Sequence, residues 1–136
     1  MSARWGGWAL VAAGGWACAA GLHPGQTIPQ ALRHYEVLVE GRDSTARALA
    51  DAFHRRGFKV RDHVRGGGRP TLAYVATPYR GDAGARLAVQ LADTRRGLAL
   101  AAADFPADSL KALAPPQRAE WIVTELLTAA GQARIP

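Results

Sequence analysis

The chain has 136 residues, a size that corresponds to one domain. Its formal net charge is +6, and nearly all of the positive charge comes from arginine, with fifteen Arg against two Lys. A single cysteine excludes an internal disulfide bond. The arginine excess is compatible with an acidic partner, but nucleic acid is not expected, because no aromatic residues alternate with the arginines to stack on bases.

The first twenty residues have the features of an export signal. Met1 to Arg4 provide a short positive region, residues 8–13 are apolar, and small residues surround Cys18. The apolar run is shorter than the ~20 residues that a membrane-spanning helix needs. We therefore expect a signal peptide here, which would comprise residues 1–17 if cleavage falls just before Cys18, and export of the remainder of the chain.

The sequence leaves three interpretations of Cys18 open. Cleavage after Ala19 or Ala20 would discard the cysteine and release an ordinary periplasmic or secreted protein. Cleavage just before Cys18 would make it the first mature residue and a lipid attachment point. If there is no cleavage, Cys18 would be a buried thiol in an amino-terminal helix.

The first half of the domain is expected to contain a strand, a helix and a strand. Residues 18–34 contain Pro24, Gly25 and Pro29 and predict an irregular tether, so that the α/β domain would span residues 35–136. Alternating apolar residues predict strands at 35–40 and 58–64. Between them, helical spacing predicts a helix over 44–56, with Asp43 or Ser44 as its cap.

The second half is expected to contain three strands and a closing helix. Gly66–Gly68 predicts a flexible hairpin loop, and strands are predicted at 71–77, 86–92 and 98–103. Asp93–Gly97 is typical of a tight turn, and a helix is predicted over 116–130. The prediction is an α+β fold with one mixed sheet of four or five strands, in the order β-α-β-β-β-β-α, and both helices on one face. Only the first two strands are expected to be parallel.

Neither a catalytic motif nor a metal-binding motif is present in the sequence. There is no phosphate-gripping glycine motif, nucleophile elbow or cysteine pair. His23 and His34 lie in the predicted tether, and His54 and His63 lie on different predicted elements, so we expect neither a metal nor a cofactor. An enzyme would require His54, His63 and a carboxylate to converge in one pocket.

Arginines on the predicted loops are the only candidate binding residues. The expected topology gathers five of them at one edge of the sheet: Arg42, Arg65, Arg69, Arg95 and Arg96. Arginine side chains can bind phosphate groups through two parallel hydrogen bonds. If the protein has an anion site, this edge is its predicted position.

The amino-terminal third resembles the LPS-assembly lipoprotein (LptE) family. Members typically have a lipidated cysteine, a short stretch ending in glycine, a Leu/Ile-Pro-x-x-Leu motif and then the first strand. Here these are Cys18, Leu22–Gly25, Ile28–Leu32 and Tyr35–Val39. The passage from the first helix through Gly57 into the second strand, the Asp93–Gly97 turn and the closing helix are also similar to the family.

The resemblance implies a protein that is not an enzyme. It would be anchored to the periplasmic side of the outer membrane by a lipid on Cys18, plug an LptD-like β-barrel translocon and help to deliver lipopolysaccharide to the cell surface. The loop arginines would then meet phosphates of the glycolipid. The alternative is a small exported lipoprotein with a fold like CsgG or the TolB amino-terminal domain, which would serve as a periplasmic adaptor or scaffold.

Overall fold

The computed structural model describes residues 32–64 and 68–132, so Cys18, the proposed signal and Arg65 lie outside the described residues. The described chain contains five strands and three helices. In chain order they are β1 (Glu36–Leu38), α1 (Ser44–Arg55), β2 (Val60–Arg61), β3 (Thr71–Gly81), β4 (Gly84–Asp93), β5 (Leu98–Pro106), α2 (Ala107–Lys111) and α3 (Pro115–Gln132). They form an α+β fold with one mixed five-stranded sheet, as the sequence predicts.

The sheet has the strand order β2-β1-β3-β4-β5, and its first three strands are parallel. The expectation that only the first two strands are parallel was therefore wrong. Strand β3 lies on the other side of β1, where Glu36 pairs with Thr71, so β2 and β3 do not form the hairpin that the sequence predicts. All three residues of β1 are buried, and a strand buried on both faces takes a central position with a neighbour on each side.

Both long helices pack on one face of the sheet. Their apolar stripes share a single core with the strands, and Leu49, Phe53, Ile122 and Leu126 on these stripes are at most 2% exposed. Asp43 caps α1, because its Oδ1 accepts a hydrogen bond from the backbone N–H of Ala46 at 2.7 Å. The predicted helix cap and the one-faced packing are confirmed.

Strands β3 and β4 form a longer hairpin than the sequence indicates. The sequence predicts strands at 71–77 and 86–92, with Pro78 to Gly84 in the link between them. In the structure Pro78 pairs with Leu87, and the two strands continue to Gly81 and Gly84. Strand β1 pairs only with residues 71–73 of β3, so the rest of β3 is an edge strand on that side. A proline is tolerated there, because its missing N–H does not interrupt a ladder.

Two further differences concern short elements. The second strand has only two residues, Val60 and Arg61, where 58–64 was predicted. Helix α2 was not predicted, although Leu110 on it is buried in the core. Leu32, which the sequence assigned to the tether, is also buried, at 1% exposed. None of the helices in the described part of the chain is long and apolar enough to span a membrane.

Candidate functional site

The strand ends form two opposite edges of the sheet, and these edges differ in charge. We call one of them the basic edge: it is the edge at which β1, β2 and β3 begin and β4 turns into β5, and it holds most of the predicted arginines. Arg69 precedes β3, and Arg95 and Arg96 lie in the β4–β5 turn. The Nη2 of Arg95 donates a hydrogen bond to the carbonyl of Gly68 at 3.3 Å, which brings these two segments together.

Arg42 lies at the opposite edge. It follows the end of β1, and the end of β1 points away from the start of the parallel strand β3. The expected cluster of five therefore divides. Arg69, Arg95 and Arg96 meet, Arg42 does not join them, and Arg65 lies outside the described residues. The cause is the direction of β3, which places its first residues beside the start of β1.

A buried carboxylate fixes the β4–β5 turn at the basic edge. Asp93 is 3% exposed, and its Oδ1 accepts hydrogen bonds from the backbone N–H groups of Arg95 at 2.9 Å and Arg96 at 3.2 Å. Its Oδ2 accepts a hydrogen bond from the Tyr35 hydroxyl at 2.7 Å. Gly97 closes the turn with a φ of 67°. The side chains of Arg95 and Arg96 are thereby held on the exposed side of the turn.

The hydrogen bond from Tyr35 is the main reason that the pKa of Asp93 is lowered. Burial opposes this change, while the backbone N–H groups and the charge of Arg96 reinforce it. Asp93 is therefore ionised at neutral pH, and its Oδ2 lies 3.8 Å from the Nε of Arg96. Its charge offsets one of the cations at the basic edge.

Two exposed cations at the basic edge were not predicted. Lys59 directly precedes β2, and Arg33 lies in the turn that leads into β1. The Lys59 carbonyl accepts a hydrogen bond from the backbone N–H of Val37, so Lys59 lies beside the start of β1. The sequence places these two residues beside Arg69 only if the first three strands are known to be parallel, because the residues that precede parallel strands converge at one edge.

The carboxylate of Glu36 is also engaged. Glu36 is 4% exposed and accepts hydrogen bonds from the Nε and Nη2 of Arg61. This bidentate pair is the main cause of the lowered pKa of Glu36, and the charges of Lys59 and Arg69 lower it further. The influence of Lys59 and Arg69 on this carboxylate is a sign of the positive potential at the basic edge.

Arg55 and Arg56 are not part of a free cationic surface. Both donate hydrogen bonds to Glu120 on α3, each at 2.8 Å, and Arg56 also contacts the Thr124 hydroxyl at 3.0 Å. Arg56 is only 6% exposed, and its Nη1 has no partner among the described residues. These arginines join α1 to α3 and therefore have a structural role.

The opposite edge carries both signs of charge in close succession. Exposed charged residues of both signs follow β1 and β2 or lie at the β3–β4 turn and the end of β3: Glu40, Arg42, Asp43, Asp62, Arg80 and Asp82. At the same end of the sheet, Asp104 accepts hydrogen bonds from Arg86 and from the Tyr79 hydroxyl. The positive charge of the described fold is therefore concentrated at the basic edge.

An apolar groove of about 430 Å³ lies on the helix face near the opposite edge. Strand residues form its floor, and the start of α1, α2 and the start of α3 form its walls. Tyr74 lines this groove, and burial raises its pKa to about 12. Arg118 is held at the wall by hydrogen bonds to Thr45 and to two carbonyls, so it contributes to the groove as a fixed structural group.

A second groove, of about 680 Å³, brings His54 and His63 together with Asp51 and Asp62. The Nδ1 of His63 lies 2.7 Å from Asp62, but both side chains are largely exposed. The groove therefore has the convergence of His54, His63 and a carboxylate that an enzyme would require, although its described lining includes no Ser, Thr, Cys or Tyr. Within residues 32–64 and 68–132, no group of three or more His, Cys, Asp or Glu side chains is placed to hold a metal.

Comparisons of the chain with protein-family models, with curated proteins and with solved structures find no significant match. The basic edge is therefore the candidate site on its own geometry. It presents exposed cations in excess of its carboxylates, since Glu36 is paired with Arg61 and Asp93 with Arg96.

Proposed function

We propose that this protein is an exported, non-enzymatic lipoprotein of the LPS-assembly type. In this proposal a lipid on Cys18 anchors it to the periplasmic side of the outer membrane. There it plugs an LptD-like β-barrel translocon and helps to deliver lipopolysaccharide to the cell surface. Arg69, Arg95 and Arg96, with Arg65 as a further candidate, would meet phosphates of the glycolipid, while the position of Arg42 removes it from this group.

The position of Leu32 is the observation that supports this proposal best. Leu32 is the last residue of the Ile28–Leu32 motif that resembles the family, and it is 1% exposed within the core. Its carbonyl accepts a hydrogen bond from the backbone N–H of Tyr35 at 3.0 Å, which turns the chain into β1. The burial of Leu32 and this turn therefore give a physical reason for the spacing between the motif and the first strand.

The first test concerns Cys18. The full chain is expressed with its amino-terminal segment in a Gram-negative host, and the membrane-purified protein is analysed by mass spectrometry. We expect Cys18 to be acylated and to be the mature amino terminus. The Cys18→Ser variant should carry no lipid and should no longer be retained in the membrane fraction through one. A soluble mature protein that begins at Ala19, Ala20 or later would contradict the proposal.

The second test separates the proposed function from its alternative. The lipidated protein should copurify with a β-barrel of the translocon type and should bind purified lipopolysaccharide. If it is lipidated but does neither, the adaptor or scaffold function, with a fold like CsgG or the TolB amino-terminal domain, is favoured. Assays of lipopolysaccharide binding with Arg69→Ser and Arg96→Ser together then test the glycolipid contact, with Arg42→Ser as the control.

A further inference from the structure

We propose that the basic edge docks on the anionic phospholipid headgroups of a membrane surface. The docking residues are the exposed cations that precede β1, β2 and β3 and those of the β4–β5 turn: Arg33, Lys59, Arg69, Arg95 and Arg96. This inference rests on the proposed function only in that the membrane is the one to which Cys18 would anchor the chain.

The excess of positive charge at this edge is the first argument. All five cations are exposed. Two buried carboxylates lie beside them: Glu36 is paired with Arg61, and Asp93 offsets the charge of Arg96, so positive charge remains in excess. The opposite edge mixes cations with Glu40, Asp43, Asp62 and Asp82 and has no such excess. An anionic surface would therefore attract the molecule with its basic edge foremost.

The shape of the edge is the second argument. Its cations come from four separate segments of the chain, and none of them lines either of the two grooves described above. A single phosphate would be held in a concave site, whereas dispersed cations fit a layer of headgroups. Nucleic acid is a poorer match, because the Phe58 ring is only 2% exposed and the Tyr35 hydroxyl is bound to Asp93, so neither is free to stack on a base.

The path of the chain is the third argument. The described fold begins at Leu32, which lies at this edge just before β1. The segment from Cys18 to Leu32 can span at most about 50 Å when fully extended. A lipid on Cys18 would thus hold the molecule close to the membrane, with the basic edge as the part nearest to the point of attachment. Lipid chains and basic surfaces reinforce one another in membrane binding.

The test uses the full chain with Cys18→Ser, so that no lipid can attach. Binding is measured by cosedimentation with vesicles of phosphatidylcholine and phosphatidylglycerol, and with vesicles of phosphatidylcholine alone. Arg69→Gln with Arg95→Gln removes two charges from the basic edge. Arg42→Gln with Arg80→Gln removes the same charge from the opposite edge and is the matched control. The amino-terminal segment is identical in all variants, so its own affinity for vesicles cancels.

We expect binding to the anionic vesicles that weakens at high salt. Each basic residue near an anionic surface contributes a factor of about five, so the basic-edge variant should bind about 25-fold more weakly. The control should stay within about twofold of the parent. Melting temperatures of both variants should match the parent, since these four side chains are exposed.

Several outcomes would overturn the inference. They are an absence of binding to the anionic vesicles, an equal loss in both variants, or equally tight binding of a short DNA duplex. Binding to phosphatidylcholine vesicles that carry lipopolysaccharide, but not to those that carry phosphatidylglycerol, would restrict the edge to the glycolipid and would also overturn it. A chain that is never acylated in cells would contradict the proposed function and leave the vesicle result standing.

Discussion

Replacement of Leu126 by alanine tests whether α3 is held by its apolar stripe. Leu126 is 0% exposed and belongs to the core shared by the helices and the sheet. The substitution removes three carbon atoms, which corresponds to about 2.4 kcal/mol of lost transfer free energy. The cavity left behind adds to this cost, so we expect a loss of about 2–5 kcal/mol in the free energy of unfolding. A domain of this size has about 5–15 kcal/mol in total.

Urea denaturation and thermal melting measure this loss. A change of about 3 kcal/mol should lower the melting temperature by roughly 10–20 °C in a domain of about one hundred residues. Leu98→Ala is the control, because Leu98 is 38% exposed at the start of β5 and should cost about 1 kcal/mol or less. If the two substitutions cost the same, or if Leu126→Ala costs less than about 1 kcal/mol, the described packing of α3 is wrong.

Three further substitutions test local contacts. The lowered pKa of Asp93 means that its ionised form stabilises the fold above its unfolded pKa of about 3.9, and this stabilisation is lost as pH falls through the folded value. Tyr35→Phe removes the main cause of this lowered pKa, so the midpoint of urea denaturation should change less between neutral and acid pH than in the parent protein. If the midpoint changes equally in both proteins, the hydrogen bond from Tyr35 does not lower the pKa of Asp93. Asp43→Ala should cost about 1 kcal/mol in thermal unfolding by removing the cap of α1, and a neutral result would mean that water replaces the cap. Gly97→Ala should cost about 1 kcal/mol because of its φ of 67°, whereas Gly131→Ala, with open space around its Cβ in α3, should be neutral or stabilising.

Periodicity in the sequence was sufficient to predict the five strands and the two long helices. Apolar residues at helical spacing located α1 and α3 to within two residues, and Gly57, with a φ of 95°, ends α1 as expected. The direction of β3 could not be predicted in this way. Alternation along a strand shows which side chains are buried, but it carries no information about which neighbour the strand pairs with or in which direction.

The composition of the candidate site depended on that direction. With β3 parallel to β1, the residues before β3 join the β4–β5 turn, which groups Arg69 with Arg95 and adds Lys59, while Arg42 falls at the other edge. Burial could not be predicted from the arginine pattern either. Arg56 follows the exposed Arg55 in the sequence, yet it is 6% exposed because it turns toward Glu120 and Thr124 on α3.

Because β1 lies between β2 and β3 in the sheet, the fold cannot be completed until an early segment of the chain meets a later one. Strands β3, β4 and β5 are joined by short turns and can pair soon after they are made, whereas β1 must join residue 36 to residue 71. Contacts between residues that are distant in sequence form slowly, because the entropy cost of closing the loop comes before the contacts stabilise the chain. The β3–β5 meander should therefore fold first and serve as the template on which β1 and α1 assemble. In a refolding experiment followed by hydrogen exchange, the backbone N–H groups of Glu36 and Val37, which are bonded to Pro70 and Lys59, should be among the last to become protected.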